Sequence, residues 1–247
     1  MGKITGIQWT DHTFNPWWGC QKVSEGCTHC YAERLSTRFH KKEGLWSGNR
    51  RLLKDTTWSQ PLRWNETAKR NGRRAKVFCG SMCDIFEDNP ILEEERQRVY
   101  RLIQETPWLD WLLLTKRPEN IEKYPPLQTD NLWLLTTCEN QKRFDERVPI
   151  LLKQPARVKG LSLEPLLGPI DMSAYIREID WIIVGGETGS NRKMKKEWVD
   201  SLYAQCKEHN VPFFFKQWGN GYPDDEPVLY PQQFPLWSYR KAQQREG

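Results

Sequence analysis

The sequence contains no long hydrophobic run. Its longest uncharged apolar stretches, such as "WIIV" at 181–184 and "PFFF" at 212–215, fall far short of the about 18 residues that a membrane span requires. The first residues, "MGKITGIQWTDHTF", show no apolar segment behind a basic stretch, so they do not resemble a secretion signal. We therefore expect a protein outside the membrane and in the cytoplasm, where cysteine thiols stay reduced.

Two further features of the sequence each argue against a class of protein. There is no Gly-x-Gly-x-x-Gly turn, so the dinucleotide crevice of an open, doubly wound sheet is not indicated. The cysteine count is odd, at seven, which argues against a disulfide framework. The chain has 247 residues, 38% hydrophobic and 28% charged, which is compatible with one globular α/β domain. Its net charge of +5 is compatible with an anionic partner.

Beyond residue 75 the chain alternates between short apolar runs and segments with helical periodicity. The apolar runs lie at 76–81, 110–115, 132–137, 158–163, 181–186 and 212–218. With "GIQW" at 6–9 as a first strand they give seven strands, which pair in parallel because helices separate them. We predict an α/β fold, a partial or nearly closed parallel (β/α) barrel, over residues 1–219. A basic insertion at about 41–74 follows the first helix, and a tail occupies 220–247.

Polar side chains follow the predicted strands. In a parallel barrel the active site lies at the carboxyl ends of the strands, so we expect these side chains to converge on one mouth. They are Ser81, Asp84, Lys116, Arg117, Glu139, Glu164, Glu187 and Lys216.

The stretch "NPWWGCQKVSEGCTHCYAE" holds Cys20, Cys27 and Cys30 between the first predicted strand and a helix. Three interpretations remain open. A structural zinc site needs four ligands, and His12, His29, Cys79 or Cys83 could supply the fourth only through the fold. An iron–sulfur cluster held by three thiolates keeps one iron open to a small molecule. The third interpretation is three reduced thiols without metal.

Several longer segments carry a resemblance. They are "IQWTDHTFNPWWGC", "GCTHCYAERL", "GSMCDIF", "LLTKRPEN", "SLEPLLGPI", "WIIVGGETG" and "VPFFFKQWG". These segments, spread over roughly residues 4 to 219, resemble the signature segments of the phage protein Gp thirty-seven / Gp sixty-eight family. That family is phage- and prophage-associated and similar to the radical S-adenosylmethionine superfamily. The resemblance implies a barrel of the TIM/radical SAM type, in the cytoplasm of a phage host.

The resemblance also implies roles for individual residues. Cys20, Cys27 and Cys30 would ligate a [4Fe–4S] cluster that binds and reductively cleaves S-adenosylmethionine, with an external electron donor. The implied cofactor-binding residues are Ser81, Asp84, Glu139 and His29. The implied catalytic residues are Glu164, Glu187 and Lys116, and Arg117 is a candidate for binding a carboxylate or phosphate.

The insertion is basic and rich in tryptophan, a combination that suits phosphate contacts and base stacking. Its candidate nucleic-acid-binding residues are Arg50, Arg51, Lys69, Arg70, Arg73 and Arg74. We therefore expect an enzyme that modifies DNA, RNA or a nucleotide. The alternative is a non-catalytic nucleic-acid-binding module that zinc or a closed iron–sulfur cluster stabilises.

Overall fold

The computed structural model describes residues 5–40, 44–190, 192–220 and 230–235. The strands are β1 (His12–Phe14), β2 (Trp17–Trp18), β3 (Arg51–Leu52), β4 (Ala75–Cys79), β5 (Leu109–Thr115), β6 (Leu132–Thr137), β7 (Val158–Leu163), β8 (Trp181–Gly185) and β9 (Phe213–Gln217). The helices are α1 (Tyr31–His40), α2 (Gln60–Arg70), α3 (Glu93–Glu105), α4 (Gln141–Leu152) and α5 (Lys196–Glu208).

Seven of these strands form one sheet in the order β1-β4-β5-β6-β7-β8-β9, and every neighbouring pair is parallel. The strands follow each other in chain order without a reversal, as in a barrel and unlike a doubly wound sheet. Within the described residues the two edge strands, β1 and β9, do not pair with each other. The fold is therefore the expected α/β partial barrel, and this prediction is confirmed.

Aromatic contacts across the sheet show that it is curled. The Trp9 ring lies 4.6 Å from the Phe78 ring on β4 and 6.2 Å from the Trp181 ring on β8. Strands β4 and β8 are four positions apart, which is about 19 Å along a flat sheet at about 4.8 Å per strand. One indole therefore contacts both strands only because the sheet bends round it.

A segment of the predicted tail lies at the β9 edge of the sheet. Residues 230–235 lie along β9, where Gln232 forms an antiparallel bridge with Phe214. The Gln232 amide also donates to the side chain of Gln8, 3.1 Å away. Phe234 packs on Trp181 inside the barrel, with ring centroids 5.6 Å apart. The described part of the predicted tail thus packs against β9 and the barrel interior, and residues 221–229 and 236–247 lie outside the described residues.

The first strand differs from the sequence prediction. Residues 6–9 do not form a strand; the Thr10 amide donates to the Ile7 carbonyl in a turn, and β1 begins at His12. The Thr10 hydroxyl accepts from the Phe78 amide at 3.0 Å, so a side chain extends the pairing with β4. The turn is favoured because it places Trp9 inside the barrel, where it is 2% exposed. The predicted runs from 76 to 218 all form strands close to the expected bounds.

The insertion is more regular than the sequence indicated. It contains β3, which pairs with β2, and α2, which packs on β4 and β5. The side chain of Asn65 on α2 accepts from the Trp108 amide at 2.9 Å. The helix was missed because its buried positions are Pro61, Asn65 and Ala68, which do not form an apolar stripe.

Two details of the helices also differ from simple pattern analysis. The periodicity predicts that α1 buries Tyr31, Leu35 and Phe39, but it buries the small residues Ala32 and Ser36 instead. A proline inside a helix usually kinks or divides it, yet α4 runs without a break from Gln141 to Leu152 with Pro149 inside it. Across the described ranges, no helix has both the length and the apolar composition to cross a bilayer.

The curled sheet yields a stability prediction. Replacing Trp9 by Ala should lower the free energy of unfolding by about 3–5 kcal/mol, because a buried indole that joins β4 to β8 is lost. Denaturant titration measures the change. Leu62→Ala, at an exposed position of α2, is the control and should cost no more than about 0.5 kcal/mol. Equal losses in the two variants would contradict the role assigned to Trp9.

Candidate functional site at the carboxyl ends of the strands

Two adjoining cavities open where the strands end. The larger has a volume of about 350 Å³ and the smaller about 130 Å³. They share Cys30, Tyr31, Phe78, Leu114, Lys116 and Thr137 as wall residues. Because the cavities share these walls, a group in one lies beside a group in the other.

The clustered cysteines all line the smaller cavity, and Cys30 lines both. Each of Cys20, Cys27 and Cys30 is half-buried, whereas Cys79, Cys138 and Cys206 are buried elsewhere in the core. Cys83, which is also buried, borders the smaller cavity. Among the described residues, no three His, Cys, Asp or Glu side chains converge closely enough to hold a single metal ion. The three clustered thiols thus border one cavity.

A buried carboxylate fixes the loop between Cys20 and Cys27. Glu139 follows β6, is 0% exposed, and accepts from Arg147 of α4 at 2.6 Å. Its other oxygen accepts from the hydroxyl of Ser24. A Cβ on Gly26 would lie 2.6 Å from the Glu139 side chain, so only glycine permits this approach. Glu139 therefore anchors the cysteine loop and borders neither cavity, in contrast to its predicted cofactor contact.

A second anchor is the side chain of Glu25, in the same loop. It accepts from Arg143 at 2.8 Å and from Asn140 at 2.5 Å, both at the start of α4. The hydrogen bond from Arg143 holds the pKa of the Glu25 carboxyl at about 2, well below its usual range. Glu25 thus joins the cysteine loop to the start of α4.

A third anchor links the loop to the segment after β8. Arg192 donates to the Glu25 carbonyl at 3.0 and 3.1 Å and pairs with the Glu187 carboxylate at 2.7 Å. Burial acts to raise the pKa of Glu187, but hydrogen bonds from Arg192 and Ser190 outweigh it and the pKa is lowered. Glu187 lines the larger cavity as an ionised, paired group and not as a free base.

Asp84 is buried beside the smaller cavity and is fully occupied by hydrogen bonds. Its oxygens accept from the Thr115 hydroxyl at 2.7 Å, the Lys116 amide at 3.1 Å, the Phe86 amide at 3.1 Å and the Arg117 guanidinium at 2.9 Å. Asp84 therefore holds Arg117 in place at the wall of the smaller cavity, and its predicted cofactor contact stays a prediction.

Arg117 contacts the cysteine loop directly. Its guanidinium donates to the Cys20 sulfur at 3.6 Å and to the Gln21 carbonyl. Burial and the charge of Asp84 raise the pKa of the Cys20 thiol to about 12, and Arg117 opposes that shift. Arg117 is 5% exposed and borders the smaller cavity.

The larger cavity has an apolar floor, which includes Trp9 and Phe78, and a charged rim. On the rim the Lys216 ammonium donates to Glu164 at 2.5 Å. Lys116 is half-buried on both cavity walls, and among the described residues no carboxylate lies within ion-pair distance of its ammonium. His29 is exposed on the same rim. The structure thus brings together all three predicted catalytic residues and His29.

Ser81, the remaining predicted cofactor residue, lies on the wall of the smaller cavity. Its hydroxyl accepts from the Asn15 amide at 2.9 Å, and its carbonyl accepts from the Tyr31 hydroxyl at 2.7 Å. These contacts join β1, α1 and the end of β4 round the cavity.

The candidate nucleic-acid-binding residues do not form one patch. Arg50 is buried in an ion pair with Glu87, and Arg74 pairs with Asp110 at 2.9 Å, so neither is free for phosphate. Arg51 is exposed and hydrogen-bonded to His40. The other three, Lys69, Arg70 and Arg73, are exposed before β4, at the end of the sheet opposite the cavities.

Comparison with known proteins places the chain in a family. The profile of one family, described as "Protein of unknown function (DUF5131)", matches residues 4–246. The chain belongs to the DUF5131 family.

No curated protein matches the chain significantly in sequence. A similar solved structure is a cysteine-to-alanine mutant of spore photoproduct lyase with a dinucleoside spore photoproduct, at 11% identity and a TM-score of 0.47. The alignment covers 78% of the DUF5131 chain and 59% of the lyase chain, so the chain spans less than two thirds of that structure's length.

Several contacts in the DUF5131 site were not anticipated from the sequence. They involve Ser24, Glu25, Arg143, Arg147 and Arg192. One signal was present: six residues separate Cys20 from Cys27, and two of them, Ser24 and Glu25, make these contacts. The spacing of Arg143 and Arg147 by four residues also puts both on one helix face.

The Glu25 anchor yields a pH prediction. Because its pKa is lowered on folding, its contribution is complete above its unfolded pKa of about 4.5 and is lost as pH falls toward about 2. Glu25→Gln should therefore reduce the free energy of unfolding by up to about 1 kcal/mol at neutral pH. The difference between wild type and variant should be markedly smaller at pH 2 than at neutral pH, as followed by denaturant titration. A difference that persists unchanged at pH 2 would contradict this assignment.

Proposed function

We propose that the chain is a radical S-adenosylmethionine-like enzyme that holds a [4Fe–4S] cluster through Cys20, Cys27 and Cys30. One observation carries the proposal. The three thiols border the same 130 Å³ cavity, and Cys30 also borders the adjoining 350 Å³ cavity. A cluster in the first cavity would lie next to a small molecule in the second.

The donor set fits a cluster better than a single ion. Soft thiolates are the preferred ligands of both zinc and iron–sulfur clusters. A cluster spreads its irons over the corners of a cube, so its thiolates lie farther apart than those of one zinc ion. The three thiols border one cavity of about 130 Å³, so they are arranged around a space that a cluster could occupy. This arrangement supports the cluster.

The larger cavity suits one cofactor-sized molecule. Its volume of about 350 Å³ is near the lower end of the range for small-molecule sites, about 300 to 1,000 Å³. Together, the cluster and S-adenosylmethionine supply an electron and a cleavable sulfonium for radical chemistry. Lys116 would bind the carboxylate of the cofactor, and Glu164 and Glu187 would accept from its ribose or amine. His29 would stack on the adenine, and the apolar floor would exclude water.

The substrate we propose is a nucleic acid or nucleotide. Of the six basic residues expected to bind it, Arg51 is exposed on the cysteine side, since β3 pairs with the strand that precedes Cys20. Lys22 and Arg34 are also exposed there, and Arg34 donates to the Thr188 carbonyl on the rim of the larger cavity at 2.7 Å. These cations would provide phosphate contacts beside the mouth.

Cluster content and cofactor cleavage test the enzyme proposal. Anaerobically reconstituted wild type should contain iron and sulfide and should release 5′-deoxyadenosine from S-adenosylmethionine and dithionite. Cys20→Ser, Cys27→Ser and Cys30→Ser should lose the cluster, because each removes one of only three ligands. Cys206→Ser, on the buried face of α5, is the matched control and should retain it.

A contrary result would favour the other interpretation, a metal-stabilised binding module. Cys83 borders the same cavity and could close a cluster as a fourth ligand. Full iron and sulfide without any 5′-deoxyadenosine, together with cluster loss in Cys83→Ser, would indicate that module. Colourless protein that contains zinc would exclude a cluster altogether.

The substrate class has its own test. Oligonucleotide binding, measured by fluorescence anisotropy, should weaken steeply with salt because phosphate contacts release counterions. Arg51→Ala should weaken binding several-fold if the nucleic acid lies at the mouth. Arg70→Ala, at the opposite end of the sheet, is the matched control and should leave it unchanged. Binding that is undetectable at low salt, or that depends on Arg70 and not Arg51, would contradict this substrate site.

A further inference from the structure

One buried ion pair touches a cysteine that we assign to the cluster. Arg117 and Asp84 are each 5% exposed and lie 2.9 Å apart, just beyond the ends of β5 and β4. A buried ion pair is costly to desolvate, so its position beside Cys20 calls for a reason.

The geometry fixes the guanidinium in one orientation. Asp84 is immobilised by three donors besides Arg117, from Thr115, Lys116 and Phe86. One terminal nitrogen of Arg117 donates both to Asp84 and, at 3.6 Å, to the Cys20 sulfur. The other terminal nitrogen donates to the Gln21 carbonyl. The Arg117 guanidinium is thus held against the Cys20 sulfur. The Asp84 carboxylate contacts the same guanidinium nitrogen.

We infer that Arg117, held in place by Asp84, donates a hydrogen bond to the Cys20 thiolate and thereby raises the reduction potential of the cluster. This inference rests on the proposed function, because the cluster is part of that proposal. A reduced cluster carries one more negative charge than an oxidised one. A hydrogen bond to a ligand sulfur stabilises that extra charge, and such bonds are among the factors that set cluster potentials.

The two members of the pair should act with opposite sign. Removing the guanidinium takes away the positive charge nearest the sulfur and makes reduction harder. Removing the charge of Asp84 leaves Arg117 held by Gln21 and makes reduction easier. A pair that only shaped the loop would not give opposite effects, because loss of either member would loosen the same contacts.

The experiment is a potentiometric titration of the reconstituted cluster, followed by its EPR signal, in wild type, Arg117→Met and Asp84→Asn. In Arg117→Met the equilibrium constant for one-electron reduction should fall about tenfold, a shift of about 59 mV to lower potential. Asp84→Asn should shift the potential upward. Arg117→Lys, which keeps the charge but loses the forked donor, should lie between wild type and Arg117→Met.

Matched controls lie at the other end of the same strand. Arg74 and Asp110 form a comparable ion pair 2.9 Å apart near the start of β5, so Arg74→Met and Asp110→Asn should leave the potential unchanged. Iron and sulfide are measured in every variant. If Arg117→Met loses its cluster, Arg117→Lys and Asp84→Asn carry the comparison.

The outcomes separate the two proposals. Opposite shifts in the Arg117 and Asp84 variants support the positioning role. Unchanged potentials, or shifts of the same sign, at full iron content overturn that role and leave the proposed function intact. Wild-type protein that takes up no iron and sulfide overturns the proposed function and the role of Arg117 with it.

Discussion

The anchoring of the cysteine loop on the buried Glu139 carboxylate is the constraint on which the site depends. Glu139 is 0% exposed, and a carboxylate so deeply buried requires partners. Arg147 supplies one from α4, and Ser24 of the loop supplies another. Removing one member of such a buried pair costs about 3–5 kcal/mol in free energy of unfolding. The carboxylate that Arg147 neutralises in the core is therefore the same group that holds the loop through Ser24. The thiols of Cys20, Cys27 and Cys30 border one cavity beside this anchored loop.

Ion pairs surround the two cavities at the carboxyl ends of the strands. The acidic residues at the strand ends are paired: Asp84 with Arg117, Glu164 with Lys216 and Glu187 with Arg192. These pairs allow charged groups to remain ionised in a partly buried site. Lys116 differs, because no carboxylate of the described chain pairs with it, and it borders both cavities. An anionic ligand would therefore find its counter-charge at the junction of the two cavities, next to Cys30.

The sequence predicts the scaffold better than the interactions within the site. Strands β4 to β9 are apolar runs between helices, a pattern that specifies parallel strands buried on both faces. Polar residues directly follow these apolar runs, so the sequence identifies Glu164, Glu187, Lys116 and the clustered cysteines as candidate site residues. The sequence does not show which charged residues pair with each other, because such pairs join distant segments. Nothing near Arg50 in the sequence shows that it pairs with Glu87 while Arg51 remains exposed. The first strand was misplaced for a similar reason, since Trp9 is drawn into the barrel by β4 and β8.

The central claim is that three thiols hold a cluster with one iron open toward the larger cavity. The most direct measurement is the EPR spectrum of the reduced, anaerobically reconstituted protein before and after S-adenosylmethionine is added. We expect a signal whose shape changes on addition, because the cofactor would bind beside Cys30 and alter the open iron. A full cluster whose signal is unaffected by S-adenosylmethionine would contradict the claim.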